Sequence, residues 1–258
     1  MLRWRIVTAL VLVPVVLGAI FLGDWAIFAV ILVVVALSAY ELADALNPLP
    51  FLAAFAAGTL PILLSIPYNT SGILAGTLLG LPNAIFWLAT RSQVRTLKAL
   101  LALLLMALWV GAPLAHLGLL EELPDGTFFV LVAVVGPWIS DSGAYFAGRL
   151  LGRHRLFPTL SPKKTYEGAI GGLLLTVALV GYFAHVFLDL GLAEAALLGV
   201  AVSAFSQAGD LFESTLKRVL ELKDLGSLLP GHGGILDRID SLLFTAPAVY
   251  YLYVLFVL

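Results

Sequence analysis

Long apolar runs separated by short polar segments dominate this chain. A helix needs about 20 predominantly apolar residues to cross the hydrocarbon core of a bilayer, and the runs in this sequence predict about nine transmembrane helices. Pro82 and Pro113 lie inside two of these runs, where we expect them to kink the helices without ending them. The predicted spans cover residues 6–23, 25–43, 51–66, 71–90, 97–120, 127–147, 168–188, 192–209 and 241–258.

The positions of the basic residues predict how the helices are oriented. Lysine and arginine collect in the short cytoplasmic segments of membrane proteins. With nine spans and a cytoplasmic N-terminus, every basic segment of this chain lies inside, and the connections on the other side contain no lysine or arginine. The sequence therefore predicts an all-α, polytopic integral protein of the cell (plasma or inner) membrane. All 14 basic residues fall in four segments, Arg3–Arg5, Arg91–Lys98, Arg149–Lys164 and Lys217–Arg238.

Composition agrees with this pattern and excludes several classes of protein. Apolar residues make up 61% of the 258 residues before the 24 glycines are counted, against roughly 45–50% with glycine included in a typical soluble domain. A soluble globule of this size could not cover so much apolar surface, and a disordered chain would be more polar. The net charge of −2 gives no field that would attract nucleic acid. The absence of cysteine excludes disulfides and thiolate sites.

The few charged residues are unevenly distributed along the chain. Of the 30 charged residues, 19 fall between Asp141 and Asp240. We therefore interpret residues 1–126 as scaffold helices and residues 127–258 as a catalytic transmembrane region with a polar site on the cytoplasmic face.

Two segments of the C-terminal region contain candidate functional residues. Asp141 lies in an apolar span and needs a partner or a water-filled cavity. A simpler interpretation places it near a helix end, where it reaches the membrane interface or pairs with Arg149. Ser161, Lys163 and Lys164 precede the next span, where a hydroxyl, two ammonium groups and a helix N-terminus suit phosphate oxygens. Ordinary anchoring by positive charge on the cytoplasmic side would produce the same two lysines.

The stretch from Gly209 to Asp240 is the most highly charged. In a helix, Asp210, Glu213 and Lys217 share one face. Carboxylates interleaved with cations are typical of a site that binds a divalent metal and phosphate, because Mg²⁺ prefers hard oxygen ligands and cations neutralise phosphate oxygens. The alternative is a solvated loop with surface ion pairs, which stabilise little.

The run from Ser214 to Asp240 (STLKRVLELKDLGSLLPGHGGILDRID) resembles the signature of the phosphatidate cytidylyltransferases, or CDP-diacylglycerol synthases. Three other segments agree with that family: DSGAYF from Asp141, SPKKT from Ser161 with the following Glu167-Gly168, and SQAGDLFES from Ser206. The resemblance is strong over about residues 135–245 and elsewhere rests only on the number of spans and their topology.

The resemblance implies a Mg²⁺-dependent reaction of phospholipid biosynthesis, in which CTP and phosphatidate give CDP-diacylglycerol and pyrophosphate. It implies Asp210 and Asp237 as metal ligands with Asp141 as a third or outer carboxylate, leaves open a second metal ion, and suggests a homodimer. The implied catalytic residues are Asp141, Lys164, Lys217, Arg218, Asp237 and Arg238. The implied phosphate-binding residues are Ser161, Lys163, Lys164, Lys217, Arg218, Lys223, His232, Gly233, Gly234 and Arg238.

Other functions remain compatible with parts of the sequence. The number of spans alone would suit a secondary transporter or channel, although such proteins place polar residues near mid-membrane and these charges lie towards one face. A different membrane transferase, such as a CDP-alcohol phosphotransferase, would carry another arrangement of aspartates. The same chemistry on another lipid phosphate is not excluded by any residue.

Overall fold

Helices make up most of the computed structural model, which describes residues 2–46, 50–90, 96–222, 224–229 and 233–257. A π-helical segment, Leu105–Gly111, joins α4 to α5. Two short antiparallel strands, β1 (Arg155–Phe157) and β2 (Ser161–Thr165), connect α6 to α7. The helices are α1 (Leu2–Leu22), α2 (Asp24–Ala45), α3 (Phe51–Thr90), α4 (Thr96–Leu104), α5 (Ala112–Glu121), α6 (Gly126–Leu151), α7 (Tyr166–Leu188), α8 (Leu192–Val219), α9 (Leu236–Ile239) and α10 (Leu242–Val257).

The helices confirm an all-α, multi-pass membrane protein. Within the described ranges, seven helical stretches are long and apolar enough to cross a bilayer, and a shorter apolar helix covers Val7–Leu22. Large apolar side chains such as Leu174 and Leu192 are more than half exposed, as expected for surfaces that face lipid tails. The number of nine spans and the cytoplasmic N-terminus stay predictions.

Helix α3 contains two of the predicted spans. The chain reverses at Asn69, whose backbone angles (φ 50°, ψ −134°) are not helical, and the arms then pack against each other. A Cβ built on Gly76 would lie 2.5 Å from the carbonyl oxygen of Leu60, and Asn83 Nδ2 donates a hydrogen bond of 3.2 Å to the carbonyl oxygen of Ala53. The predicted spans 51–66 and 71–90 are therefore the two arms of one helical hairpin.

The prolines inside the predicted spans do not end their helices. Pro82 lies within α3, which continues to Thr90. Pro113 lies in the first turn of α5, directly after the π-helical segment. A proline costs least in a first turn, because it has no N–H to donate there.

The chain divides into two compact units. The first unit contains Met1–Leu123 together with Asp224–Ile239, and the second contains Pro124–Lys223 together with Asp240–Leu258. The proposed functional division near residue 126 is a separate question and stays a prediction.

In the second unit, the helix ends that carry the candidate site residues lie at the same end of the helix bundle. Its helices pack as α6 on α7, α7 on α8, and α10 on both α6 and α8. Small residues allow close approach: a Cβ on Gly143 would lie 2.9 Å from the carbonyl oxygen of Gly171. Since consecutive helices run in opposite directions, the β-hairpin, the C-terminal end of α8 and the start of α10 lie at the same end of the unit.

Candidate active site

Three charged side chains share one face near the C-terminal end of α8. Asp210, Glu213 and Lys217 are three and four residues apart, which is the spacing of neighbours on a helix surface. Lys217 Nζ lies 2.9 Å from Glu213 Oε2, and the side chain of Glu213 is only 3% exposed. The predicted face of α8 is confirmed, and it is partly buried where a solvated loop would be exposed.

The start of α10 brings a further carboxylate to this face. A Cβ on Gly209 would lie 2.5 Å from the carbonyl oxygen of Asp240, so only glycine allows the two backbones to approach so closely. Ser241 Oγ donates a hydrogen bond of 3.0 Å to the carbonyl oxygen of Ser206 and holds the same junction. Asp240 itself is 9% exposed, and its Oδ1 accepts a hydrogen bond of 2.7 Å from the N–H of Ser241.

Asp210, Glu213 and Asp240 form what we call the carboxylate cluster. One carboxylate oxygen from each residue lies within 4.8 Å of the others, and they are the one such group of three metal-ligating side chains found in the described ranges. Oxygens on opposite sides of one Mg²⁺ are about 4 Å apart, so the spacing is close to that of donors around a single cation. The cluster therefore fits a hard divalent ion.

Lys164 approaches the carboxylate cluster from the β-hairpin. Its Nζ lies 2.7 Å from Asp210 Oδ2, and its side chain is 23% exposed. Its neighbour in β2, Lys163, is exposed instead. Three carboxyl groups (Asp210, Glu213 and Asp240) lie beside only two ammonium groups (Lys164 and Lys217), and this excess of acidic groups favours an additional cation.

Two contacts connect the β-hairpin that carries Lys164 to the start of α7. Thr165 caps this helix, because its hydroxyl accepts a hydrogen bond of 3.1 Å from the N–H of Gly168. Glu167 Oε1 lies 2.6 Å from the Nδ1 of His154, which precedes β1. The strand therefore has little freedom to move Lys164 away from α8.

Asp141 lies on α6 and is exposed. Helix α6 packs against α8 and α10, the two helices at whose ends the carboxylate cluster lies. The proposed alternative partner of Asp141, Arg149, donates a hydrogen bond of 2.6 Å to the hydroxyl of Tyr145.

The remaining predicted acidic ligand, Asp237, belongs to the first unit. It lies on α9, and its Oδ2 accepts a hydrogen bond of 2.9 Å from the N–H of Gly234. Gly233 has a φ of 84°, a left-handed conformation that favours glycine, and its carbonyl oxygen accepts a hydrogen bond of 2.9 Å from the N–H of Leu229. Arg238 follows and is exposed.

The other predicted residues are less informative. Ser161 begins β2 and is half-buried, whereas Arg218 is exposed near the end of α8. Lys223 and His232 lie outside the described residues.

The structure adds Glu213 and Asp240 to the candidate metal ligands. The helical spacing of Glu213 from Asp210 was a visible signal, but the sequence interpretation used it only to define a charged face. Asp240 had a weaker signal, since it is the last acidic residue before an apolar span. Its contact with α8 depends on Gly209, which is not predictable from charge pattern alone.

Comparison with known proteins gives consistent results. The sequence model of the cytidylyltransferase family matches residues 3–256. Phosphatidate cytidylyltransferase of Bacillus subtilis (strain 168) is 46% identical over 132 residues, which cover 51% of this chain and 49% of that protein. The enzyme of the same name from Staphylococcus haemolyticus (strain JCSC1435) is 48% identical over 125 residues, or 48% of each chain.

The family model and the curated relatives match different lengths of the chain. The chain spans about half the length of the curated relatives it matches, whereas the family match covers nearly all of it. By the extent of that match, the chain belongs to the cytidylyltransferase family.

Proposed function

We propose that this protein is a phosphatidate cytidylyltransferase that transfers CMP from CTP to phosphatidate and releases pyrophosphate. The observation that carries the proposal is the carboxylate cluster with Lys164 and Lys217 paired to it, at one end of a membrane-embedded helical unit. The names of the Bacillus and Staphylococcus relatives supply the substrate class.

The proposed reaction joins two anions. An oxygen of the phosphatidate phosphate attacks the α-phosphorus of CTP, a new P–O bond forms, and the bond between the α-phosphorus and the bridging oxygen of pyrophosphate breaks. No general base is required, because a phosphate monoester is already ionised at neutral pH. The protein has mainly to position the two substrates and neutralise their charge.

The chain's own residues divide these tasks. Asp210, Glu213 and Asp240 would hold Mg²⁺, which neutralises phosphate charge when bound; Asp141 and Asp237 are further candidate ligands. The ammonium groups of Lys164 and Lys217, now paired with carboxylates, would also neutralise oxygens of the reacting phosphates. The remaining predicted phosphate-binding residues are Ser161, Lys163, Arg218, Lys223, His232, Gly233, Gly234 and Arg238.

The proposed site faces the cytoplasm, since all four basic segments fall on one side in the predicted topology. CTP would then reach the site from the cytosol, and phosphatidate from the adjoining leaflet. A homodimer is part of the proposal through the family resemblance alone.

The position of a radioactive label in CTP distinguishes CMP transfer to the lipid from hydrolysis of CTP. Purified protein in liposomes containing phosphatidate is incubated with Mg²⁺ and CTP labelled at either the α- or the γ-phosphate. We expect α-label in a CDP-lipid and γ-label in pyrophosphate. Release of γ-label as inorganic phosphate without any CDP-lipid would contradict the proposal.

The lipid substrate is tested in the same assay. Liposomes with lysophosphatidate, an ether-linked analogue or phosphatidylglycerol replace those with phosphatidate at equal surface charge. Phosphatidate is expected to be the best acceptor, and phosphatidylglycerol, a phosphodiester without a free phosphate, is expected to accept nothing. A better rate with another lipid monophosphate would move the assignment to that lipid.

A further inference from the structure

Glu41 is a buried carboxylate among the helices interpreted as scaffold. It lies near the C-terminal end of α2 and is 2% exposed. Ser38 and Leu42 on the same helix are completely buried. A carboxylate removed from water in this way must be satisfied by hydrogen bonds or by charge.

Backbone N–H groups far away in the sequence satisfy Glu41. Its Oε1 accepts a hydrogen bond of 2.8 Å from the N–H of Ile235, and its Oε2 accepts one of 3.1 Å from the N–H of Leu236. Hydrogen bonds from N–H groups to a charged acceptor are among the strong ones. Both carboxylate oxygens of Glu41 therefore hold the backbone that opens α9.

Two glycines allow the chain to close around this carboxylate. A Cβ built on Gly234 would lie 2.6 Å from Glu41 Oε2, and one built on Gly226 would overlap the Glu41 carboxyl group. Glycine at both positions is explained by the close approach of backbone to Glu41. We call residues 224–229 and 233–239 the glycine-rich segment.

The glycine-rich segment also carries Asp237 and Arg238. The Gly234 backbone lies between two carboxylates, since its N–H donates to Asp237 Oδ2 at 2.9 Å and its built Cβ faces Glu41. A shift of this backbone would therefore move the Asp237 carboxylate as well.

We propose that Glu41 is a positioning residue, which fixes the glycine-rich segment and thereby orients Asp237 and Arg238 for the reaction. The inference rests on the proposed function for the roles of Asp237 and Arg238, whereas the contacts of Glu41 are independent of it. It assigns to a residue of the scaffold region an indirect role, through the backbone that carries Asp237 and Arg238.

The chemistry of the contact explains why a carboxylate is needed. Glutamine has the same shape but only one acceptor oxygen, and its NH₂ group would face one of the two N–H donors. Aspartate keeps both oxygens but is one methylene shorter. We therefore expect Glu41→Gln and Glu41→Asp both to weaken the hold on Ile235 and Leu236.

Hydrogen–deuterium exchange of the purified protein tests, without substrate, how firmly Glu41 holds the backbone of Ile235 and Leu236. In Glu41→Gln, amides in residues 233–239 are expected to exchange about tenfold faster or more, the scale of a hydrogen bond to a charged group. Peptides from α7 and α8 are expected to exchange as in wild type. Asp44→Asn is the matched control, because Asp44 is an exposed acid on the same helix.

Catalysis is measured on the same preparations. Glu41→Gln is expected to lower kcat on the order of 10–100-fold, as is typical when a group that orients a ligand is lost. The Mg²⁺ concentration for half-maximal rate is expected to rise, while the melting temperature stays near that of wild type. Asp44→Asn is expected to retain the wild-type kcat.

Gly226 provides a second variant should Glu41→Gln not fold. Gly226→Ala introduces a Cβ whose three nearest heavy atoms all belong to Glu41. It is expected to be damaging alone but to add little in a Glu41→Ala background, because the colliding group is then absent. Equal effects of Gly226→Ala in both backgrounds would overturn the contact.

The outcomes separate this inference from the proposed function. If wild type makes no CDP-lipid, the proposed function fails, and the exchange measurement still tests the hold of Glu41. If wild type is active and Glu41→Gln matches it in kcat and Mg²⁺ dependence, the positioning role is wrong, even where exchange is faster. Faster exchange confined to residues 233–239 together with the loss of kcat supports it.

Discussion

Lys163 and Lys164 are adjacent in the sequence but have different surroundings in β2. The Lys164 ammonium lies 2.7 Å from Asp210, while Lys163 is exposed. Burial increases towards the end of β2 that joins α7, from the exposed Lys163 through the half-buried Lys164 to the buried Thr165. It separates two residues that the sequence interpretation treats alike.

A matched pair of substitutions tests this separation. Lys164→Met keeps an unbranched chain of similar length but removes the charge at the carboxylate cluster. We expect kcat/KM to fall by about 100-fold, the scale of losing one charge-stabilising group. Lys163→Met is expected to cause a clearly smaller loss, and to lower mainly the affinity for CTP or lipid. Equal losses in steady-state kinetics would contradict the assignment.

The sequence predicts which residues belong to the candidate site better than it predicts which residues contact each other there. The sequence interpretation selects Asp210, Lys164 and Lys217, and the structure places all three together at the carboxylate cluster. It does not select Glu41, or Asp240 as a candidate metal ligand, because both depend on contacts between distant parts of the chain. The available sequence signal for Glu41 was its position as an acidic residue near the end of an otherwise apolar run.

The helices α8 and α10 must approach closely for the carboxylate cluster to form. Gly209 is the contact point, since a Cβ there would lie 2.5 Å from the carbonyl oxygen of Asp240. The apolar periodicity predicts both helices, but it does not say which small residue will lie at their crossing. The short strands β1 and β2, of three and five residues, are likewise too brief to give a strand pattern in the sequence.

Gly209→Ala tests the close contact between α8 and the start of α10. The added methyl group forces α8 away from Asp240, and such overpacking typically costs about 1–3 kcal/mol. We expect a lower melting temperature in detergent and a weaker response to Mg²⁺. Gly118→Ala in α5 is the control, because a Cβ there meets nothing within 4 Å and alanine favours helix. A Gly209→Ala protein as stable and active as Gly118→Ala would show that the crossing is looser than described.

At the scale of the whole molecule, apolar helices form most of the chain, and the few charged residues are concentrated in a few segments. The apolar runs predict the membrane class and most helix positions correctly, with α3 joining two spans through the turn at Asn69. Residues 224–239 belong to the same compact unit as the N-terminal helices. The distribution of charged residues along the sequence does not indicate this grouping. The predicted orientation depends on all four basic segments lying in the cytoplasm.

Single cysteines test the orientation, and the natural absence of cysteine makes each label unambiguous. Ser227→Cys is expected to react with a membrane-impermeant maleimide only after the cells are opened. Glu122→Cys, exposed in the connection between α5 and α6, is expected to react in intact cells. The reverse pattern would invert the topology and place the proposed site outside the cytoplasm.

The most direct test of the account is the rate of CMP transfer to phosphatidate in carboxylate-cluster variants at saturating Mg²⁺. Asp210→Asn and Asp240→Asn remain close in shape to the native side chains but lose their charge, and each is expected to lower kcat by about 100-fold or more. Asp189→Asn is the control: the residue has a left-handed backbone that asparagine tolerates, so its rate should stay within about twofold of wild type. Near-wild-type transfer by either cluster variant, with unchanged Mg²⁺ dependence, would contradict the account.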